Sequence, residues 1–510
     1  MLYIPTMETS NHQQILSEND ALREVARLRE DVAYLEELVK LFKHQKFGSK
    51  SEANRHPGEQ LLFNEAEADA DSDLIDDAGE DNEPKDSKPR GKPSRKALPE
   101  RLPRVDRIID LPDNEKFCPV SGKPLHRIGE EVTEQLDIVP ATVQAIRTIR
   151  PKYACSCGDC TPKSMQLPPQ PIPKSMASPG LLAFVVTSKY ADGMPLYRQE
   201  GILQRIGCDI PRATLASWVV RCGELVAPII QLLQQKILKG PLVQCDESPI
   251  QVLKVPGKKP TSKSFMWIIA ASDEGGRKIV LYEFSPTRSG EVPLRIFKGY
   301  KGYVQTDGYE GYSQLALVPG IVHVGDWVHV RRKFKDAIKG RKAGAKASFA
   351  DHALNAMAEL YRIENECMGD DARRLARQTQ SRKMIDDLRS WLDTALHRVP
   401  PKSLTGNALA YMDGQWPKLV RFLDDPAVGL DTNLVENSTR PFVLGRRAWL
   451  FSDTVKGACA SAALYSLIIT ARSNGIEPYH YLTRLFSELP KATSPADIEA
   501  LLPWNISTSR

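Results

Sequence analysis

PLVQCDESPIQVLK, residues 241–254, is the stretch on which the fold turns. Its apolar and β-branched residues fall into two extended pieces, one leading into Asp246 and one starting at Ile250. A basic turn without an acid follows, from Lys254 to Lys263, and includes Lys258 and Lys259. Two more apolar, β-branched or aromatic runs come next, at 265–271 and 278–284. Short runs of this composition, bounded by turn residues, read as strands. A fourth strand is expected at 302–306, ending at Asp307, and a fifth at 321–324, ending near Asp326.

Beyond the strands the pattern becomes helical over about 329–425. That stretch opens with eight Lys/Arg against one Asp between Arg331 and Ala347, Arg331 and Arg332 among them. An apolar helix at 458–474 ends at Gly475. Three antiparallel-looking strands followed by alternating strand and helix is α/β order, compatible with a ribonuclease-H-like sheet carrying a helical insertion.

Upstream, residues 178–222 read as helical. A helix at 196–206, a break at Gly207-Cys-Asp209 and a second helix opening PRATLASW (211–218) have the outline of a helix-turn-helix. In that motif the start of the second helix faces the bases, which makes Arg212 and Thr214 the candidate readers. The block at about 108–175 clusters thiols: Cys118 before Ser121, then Cys155, Cys157 and Cys160. Tetrahedral zinc wants four soft ligands, usually from two knuckles. Here the thiols are arranged one plus three, with His126 a substitute ligand, and a small β domain with free thiols is the competing reading.

Charge is segregated further upstream. Ten acids and no Lys or Arg lie between Glu65 and Glu83, and nine Lys/Arg against three acids between Lys85 and Arg107. With so few apolar residues, 53–107 is expected to be a disordered linker. Before it, Val25, Leu28, Val32, Leu35, Val39 and Phe42 alternate in steps of three and four, the seam of a coiled coil at 14–52 that pairs two copies.

Net charge is +5, with 41% hydrophobic and 26% charged residues among 510, which is globular composition for about three domains. No apolar stretch reaches the roughly 18 residues of a membrane span. Nine cysteines, mostly scattered, argue against a disulfide-built secreted protein and for a reducing cytoplasm.

Asp246 follows LVQC and Asp307 follows YVQT, each at an expected strand end, where α/β sheets place functional groups beside a crevice. A third carboxylate, Glu436, lies in DTNLVENSTRP (431–441), a helix start expected to be stopped by Pro441. Asn433, Glu436, Asn437 and Arg440 share one helical face. Such a Glu beside two strand-end aspartates makes an oxygen cage that suits Mg²⁺ or Mn²⁺ in phosphoryl transfer. Plainer readings compete: turn-capping aspartates, and Glu436 as capping partner of Asn433. Asp326, Glu247 and Glu310 are rival carboxylates.

Several ordered stretches resemble the large transposase of the bacterial insertion sequence 66 family. They are KFGSKSE (46–52), SKYADGMPLYRQ (188–199), CDESPIQV (245–252), QTDGY (305–309), HVRRKF (329–334), the segment 433–451 with RPF and GRRAWLF, and segments within 464–481. The resemblance implies a DDE transposase with a ribonuclease-H-like core and catalytic acids at Asp246, Asp307 and Glu436. It implies cleavage of element ends and their joining to target DNA, with Mg²⁺ or Mn²⁺ and possible zinc on the four thiols. It also suggests small accessory proteins and a nucleoid-associated location in the bacterial cytoplasm. Ser121 departs from the family's knuckle cysteine, and Asp326 stands where the family commonly carries cysteine in a Cys-Trp-Ala-His run.

The organisation expected is a coiled coil (14–52), a linker (53–107), a zinc-finger-like domain (108–175), a helix-turn-helix region (176–238), a catalytic domain (239–475) and a tail (476–510). Lys258, Lys259, Arg331, Arg332, Arg440, Arg446 and Arg447 are expected to hold phosphates, although Arg446 and Arg447, beside Trp449, also read as a packed surface. A DNA-binding regulator without catalysis and a nuclease without strand transfer are the rival functions.

Overall fold

The computed structural model describes residues 142–153, 163–273, 275–339 and 348–506, with Lys123 and seven positions between 24 and 39. The expected linker, Phe42, His126 and all four candidate zinc thiols lie outside the described residues. Chain contacts set 50–145 apart from the rest, and the fold below is that of the rest.

A short antiparallel hairpin, β1 (Lys152–Tyr153) and β2 (Lys163–Ser164), brackets the positions of Cys155, Cys157 and Cys160 in sequence. Four helices follow: α1 (Pro179–Tyr190), α2 (Leu196–Arg205), α3 (Arg212–Leu225) and α4 (Ala227–Ile237). The sheet then forms around β3 (Leu242–Lys254), with β4 (Lys263–Ser272) and β5 (Lys278–Ser285) antiparallel on one side. On the other side β6 (Gly302–Gln305) and β7 (Ile321–Val324) run parallel to it, so the order is β5-β4-β3-β6-β7. A short helix, α5 (Glu291–Ile296), leads from β5 toward β6, and the 3₁₀ turn Glu310–Leu317 joins β6 to β7. A last short strand, β8 (Phe451–Thr454), pairs with the far end of β3.

The sequence places Asp246 at a strand end, whereas β3 continues through it for eight more residues. The antiparallel partner explains this: β4 pairs with β3 without a break from Val243 to Gln251. Only the opposite edge is interrupted, because β6 pairs with 242–244 and β8 with 251–254. Pro249, which has no N–H to donate, falls in that gap.

Helix α12 (Val455–Ser473) is buried along most of its length and apolar on all sides, as a helix sunk in a core must be. Three polar side chains, two on the helix and one just past it, stand at four-residue intervals along β5. Ser466 Oγ accepts from Tyr282 N (2.8 Å), Thr470 Oγ1 from Val280 N (3.0 Å), and Asn474 Oδ1, just past the helix, from Lys278 N (3.0 Å). The outer edge of β5 is thereby satisfied and closed to further strands. On its other flank α12 meets α3 so closely that a Cβ on Gly223 would stand 2.5 Å from Ala460 Cβ and 2.6 Å from its Cα. Gly223→Ala is therefore expected to force the helices apart and lower stability by about 1–3 kcal/mol; a denaturation midpoint equal to wild type would contradict this packing.

Between β7 and α11 (Asn433–Trp449) the chain makes the expected helical insertion, α6 (Trp327–Ile338), α7 (Phe349–Glu366), α8 (Asp370–Ala376), α9 (Arg382–Arg398) and α10 (Leu404–Leu419). It has its own core, centred on Trp327, Leu360, Leu392 and Met412. Two backbone bonds close its neck: Gly325 N to Lys418 O (3.1 Å) and Trp327 N to Leu430 O (3.0 Å). The main core runs from Ile172 to Leu502, so the 176–238 helices pack into the same core as the sheet. The expected tail is helical there too, as α13 (Pro478–Glu488) and α14 (Pro495–Ala500).

Candidate active site

Two glutamines set the register of the site. Gln244 of β3 and Gln305 of β6 are paired in the parallel ladder, and Gln244 Nε2 donates to Gln305 Oε1 at 3.0 Å. Gln244 also reaches the start of α11, donating to Asp431 O (2.9 Å) and accepting from Val435 N (3.2 Å). Gln305 donates to Gly429 O at 2.9 Å. Side chains alternate along a strand, so Asp246 and Asp307, each two residues beyond its glutamine, belong together at the carboxyl end of β6. The sequence reading missed both glutamines, although the repeated Gln-x-Asp spacing was visible.

Asp246 Oδ1 accepts from Glu247 N (2.8 Å) and Oδ2 from Thr439 Oγ1 (3.0 Å). Thr439 lies on α11 one turn after Glu436, which brings that helix across β3. Burial, chiefly, together with the Asp307 and Glu436 charges, pushes the Asp246 carboxyl up to about 6 against the pull of these two hydrogen bonds. Asp307 Oδ1 accepts from Tyr309 N at 2.9 Å, closing a tight turn just past β6. A Cβ on the next residue, Gly308, would collide with the Tyr411 hydroxyl of α10, so the insertion packs directly on this turn.

Glu436 leans toward cations. Its Oε1 stands 3.8 Å from Arg332 Nη2 and 4.0 Å from His329 Nδ1. Among the described residues, Asp326, His329 and Glu436 are the one trio whose ligand atoms all lie within 4.8 Å of one another. Asp326 is the N-cap of α6, accepting from Val328 N at 2.8 Å. Its other oxygen accepts from Thr432 Oγ1 (3.0 Å) and faces His329 Nδ1 at 2.5 Å. That hydrogen bond, above all, raises the His329 pKa and favours the imidazolium. Asp326, a rival carboxylate by sequence, is thus engaged as a helix cap and imidazole partner.

Two further expectations are corrected. Glu436 does not cap Asn433: the N-cap is Thr432, and Asp431 Oδ1 accepts from Asn433 N at 3.2 Å. Pro441 does not stop the helix, which runs to Trp449, because only one N–H is lost and the buried Phe442 and Gly445 keep the later turns docked. Of the other rivals, Glu247 is buried and paired with Arg288 and Tyr312, and Glu310 is exposed at the start of the 3₁₀ turn.

The expected phosphate holders divide. Arg446 is used internally, donating to Ser248 Oγ (3.2 Å) and the Pro249 carbonyl, so it ties α11 to β3. Lys258 donates to the Pro286 carbonyl, and Arg331 lies over the Tyr361 ring at 5.9 Å. Lys259, Arg332 and Arg447 are exposed, and Arg440 is half-buried on α11. Arg212 is exposed as the first residue of α3, with its N–H bonded to Glu200 Oε1 at 2.8 Å, and Thr214 is half-buried.

Asp246 within β3 and Asp307 just past the parallel strand β6, with α11 and its Glu436 alongside, make a set of oxygen donors of the kind that suits hard cations. The chain matches the Transposase IS66 family over residues 174–460, the zinc-finger binding domain of transposase IS66 over 115–158 and the IS66 C-terminal element over 466–504. Residues 34–107 match the domain described as Transposase C of IS166 homeodomain. Two proteins of Sinorhizobium fredii (strain NBRC 101917 / NGR234) are similar throughout. "Uncharacterized protein y4qI" is 32% identical, covering 95% of this chain and 92% of its own. "Uncharacterized protein y4jD" is 32% identical, covering 97% of each. The chain belongs to the IS66 transposase family. Cys118, Cys155 and Cys157 fall inside the zinc-finger match and Cys160 just outside it. No single helix among the described residues is long and apolar enough to cross a membrane.

Proposed function

We propose that this protein is a DDE transposase that cleaves the ends of an insertion element and joins them to target DNA, with Asp246, Asp307 and Glu436 as its acids. The observation that carries this reading is the glutamine-locked parallel register, in which Asp246 and Asp307 each follow by two residues one of the paired glutamines Gln244 and Gln305, while Thr439 of α11 bonds to Asp246. The strand order β5-β4-β3-β6-β7, with β4 antiparallel to β3, supports a ribonuclease-H-like core.

The donors are all carboxylate oxygens, and burial first, with the Asp307 and Glu436 charges added, raises the Asp246 carboxyl. That set fits Mg²⁺ or Mn²⁺. Such ions supply Lewis acidity for in-line displacement at phosphorus. Asp246 is oriented by Thr439 and Asp307 by its own turn, while Glu436 lies against Arg332 and His329 and would have to leave them to join the two aspartates on a shared ion. In the first reaction water breaks a phosphodiester and frees a 3′ hydroxyl. In the second, that hydroxyl attacks a target phosphodiester, one P–O bond forming as another breaks. The test is a labelled element end, taken from inverted repeats flanking the gene, incubated with a target plasmid and Mn²⁺. Joined product is expected. Cleavage without joining would make the protein a nuclease, and binding without either a regulator.

DNA recognition is assigned to α3, with Arg212 and Thr214 at its start, and to zinc on the thiol block. Pairing of two copies is assigned to the N-terminal helix. Val25, Leu28, Val32, Leu35 and Val39 are helical and 44–57% exposed, which leaves the stripe open to a partner. A peptide spanning 14–52 is expected to sediment as a dimer at micromolar concentration, and Leu28→Asp with Leu35→Asp to make it monomeric. A monomeric unmodified peptide removes the dimer.

A further inference from the structure

Arg288 lies in the connection between β5 and α5, and its side chain is 38% exposed yet fixed on two sides. Nε donates to Glu247 Oε1 at 2.7 Å and Nη2 to the same oxygen, while Glu247 itself is 1% exposed in its side chain. The other Glu247 oxygen accepts from the buried Tyr312 hydroxyl. The guanidinium carbon sits 3.5 Å from the centroid of the Tyr309 ring. Tyr309 is anchored at both ends, its hydroxyl donating to Arg288 O (2.7 Å) and its N–H to Asp307 Oδ1 (2.9 Å). No described residue accepts from Arg288 Nη1; against the cost of burial, Glu247 first and then the Tyr309 and Asp307 charges raise the guanidinium's pKa.

A buried carboxylate and an aromatic face thus hold a cation beside a proposed catalytic acid, with one edge unused. An arginine fixed in advance gives up little rotamer freedom on binding, and its planar donors suit a phosphate. The position also answers a physical need. Carboxylates repel the DNA backbone, and a fixed positive charge next to Asp307 offsets that repulsion. An arginine serving only to neutralise Glu247 would need neither the Tyr309 stack nor the bond from Tyr309 to Asp307.

We propose that Arg288 binds a backbone phosphate of the DNA strand held at Asp246 and Asp307, with Glu247, Tyr309 and Tyr312 as its positioning residues. The contact rests on the phosphoryl-transfer reading above and adds to it a phosphate site outside the three acids.

The test is equilibrium binding of the full-length protein, without divalent ion, to element-end duplexes carrying one neutral methylphosphonate at a time around the cleavage point. Wild type is expected to lose about fivefold in affinity at the contacted phosphate. Arg288→Gln, which keeps a donor for Glu247, should lose about as much on unmodified DNA and then be indifferent to that one substitution. Its dependence of log affinity on log salt should fall by about one. Glu247→Gln combined with Arg288→Gln removes the buried charge as well and should give the same profile, which separates phosphate binding from misfolding. If either variant keeps the wild-type methylphosphonate profile, Arg288 is only the counter-ion of Glu247. Asp246→Asn is assayed alongside for Mn²⁺-supported cleavage. Normal cleavage by it overturns the phosphoryl-transfer reading, whereas a dead Asp246→Asn with an unchanged Arg288→Gln profile overturns the phosphate contact alone.

Discussion

Asp246→Asn, Asp307→Asn and Glu436→Gln are each expected to lower Mn²⁺-supported cleavage of an element end on the order of 10³-fold or more while leaving end binding intact. Each change keeps the side chain's size and removes one anionic ligand. Asp326→Asn is the discriminating control. Asparagine still caps α6, so the expected loss is far smaller, within about tenfold. Normal cleavage by Glu436→Gln with a dead Asp326→Asn would move the third acid to Asp326. A titration accompanies the kinetics. The folded-state pKa of Asp246 is raised from 3.8 to about 6, so the folded chain holds that proton more tightly than the unfolded one. Above about pH 6 the ionised carboxylate therefore costs stability, and the cost fades as pH falls from 6 toward 3.8. Metal-free Asp246→Asn should melt higher than wild type at pH 8, with the difference vanishing near pH 4. A constant difference across that range would assign the effect to packing.

Arg377→Met is expected to be the most destabilising single change in the insertion, about 3–5 kcal/mol. Arg377 is 2% exposed and sits in a one-turn π-helix, Arg377–Ser381, between α8 and α9. Nε and Nη2 donate to the two oxygens of Glu364, each at 2.7 Å. The remaining donors reach the carbonyls of Phe422, Asp425 (2.6 Å) and Val428 (2.8 Å). Methionine would match the stem's length but leave Glu364 to Arg373 alone, at 3.5 Å, and strand three carbonyls at once. Lysine keeps the charge without the fork and should recover less than half of the loss. Hydrogen exchange at amides of 422–430 should accelerate in both variants. That segment leads into Gly429, which accepts from Gln305, and on to α11, so cleavage should fall as well. A change in stability below about 1 kcal/mol would show that the pair is not what holds the segment.

The strands and the order of sheet and insertion were readable because they depend on local signals: runs of β-branched residues bounded by turn residues. What the sequence concealed depends on partners far away along the chain. Asp246 looked like a strand end because DESP is polar, yet β4 carries the strand past it. Pro441 looked like a stop because the local cost of proline is real, yet burial of Phe442 outweighs it. Lys258 read as a phosphate holder and Arg446 as either a phosphate holder or a packed residue, and only the fold shows the carbonyls they bind. The roles of Ser466, Thr470 and Asn474 appear only once β5 lies beside them. Arg288 gave no signal of its own, since an arginine in a loop is ordinary until Glu247 and Tyr309 are seen around it.

The neck of the insertion has a consequence for descent. Gly325 and Trp327 bond back to Lys418 and Leu430, so the chain leaves the sheet and returns to it at nearly one place. A module hung from a single point can lengthen, shorten or be exchanged over generations without displacing what lies on the sheet. The 129 residues from Asp307 to Glu436 are therefore not a ruler of the site, and distant kin can differ widely in that interval. Freedom ends at the two short segments that meet at the neck, 325–327 and 430–432, where one inserted residue would shift the third acid relative to the other two.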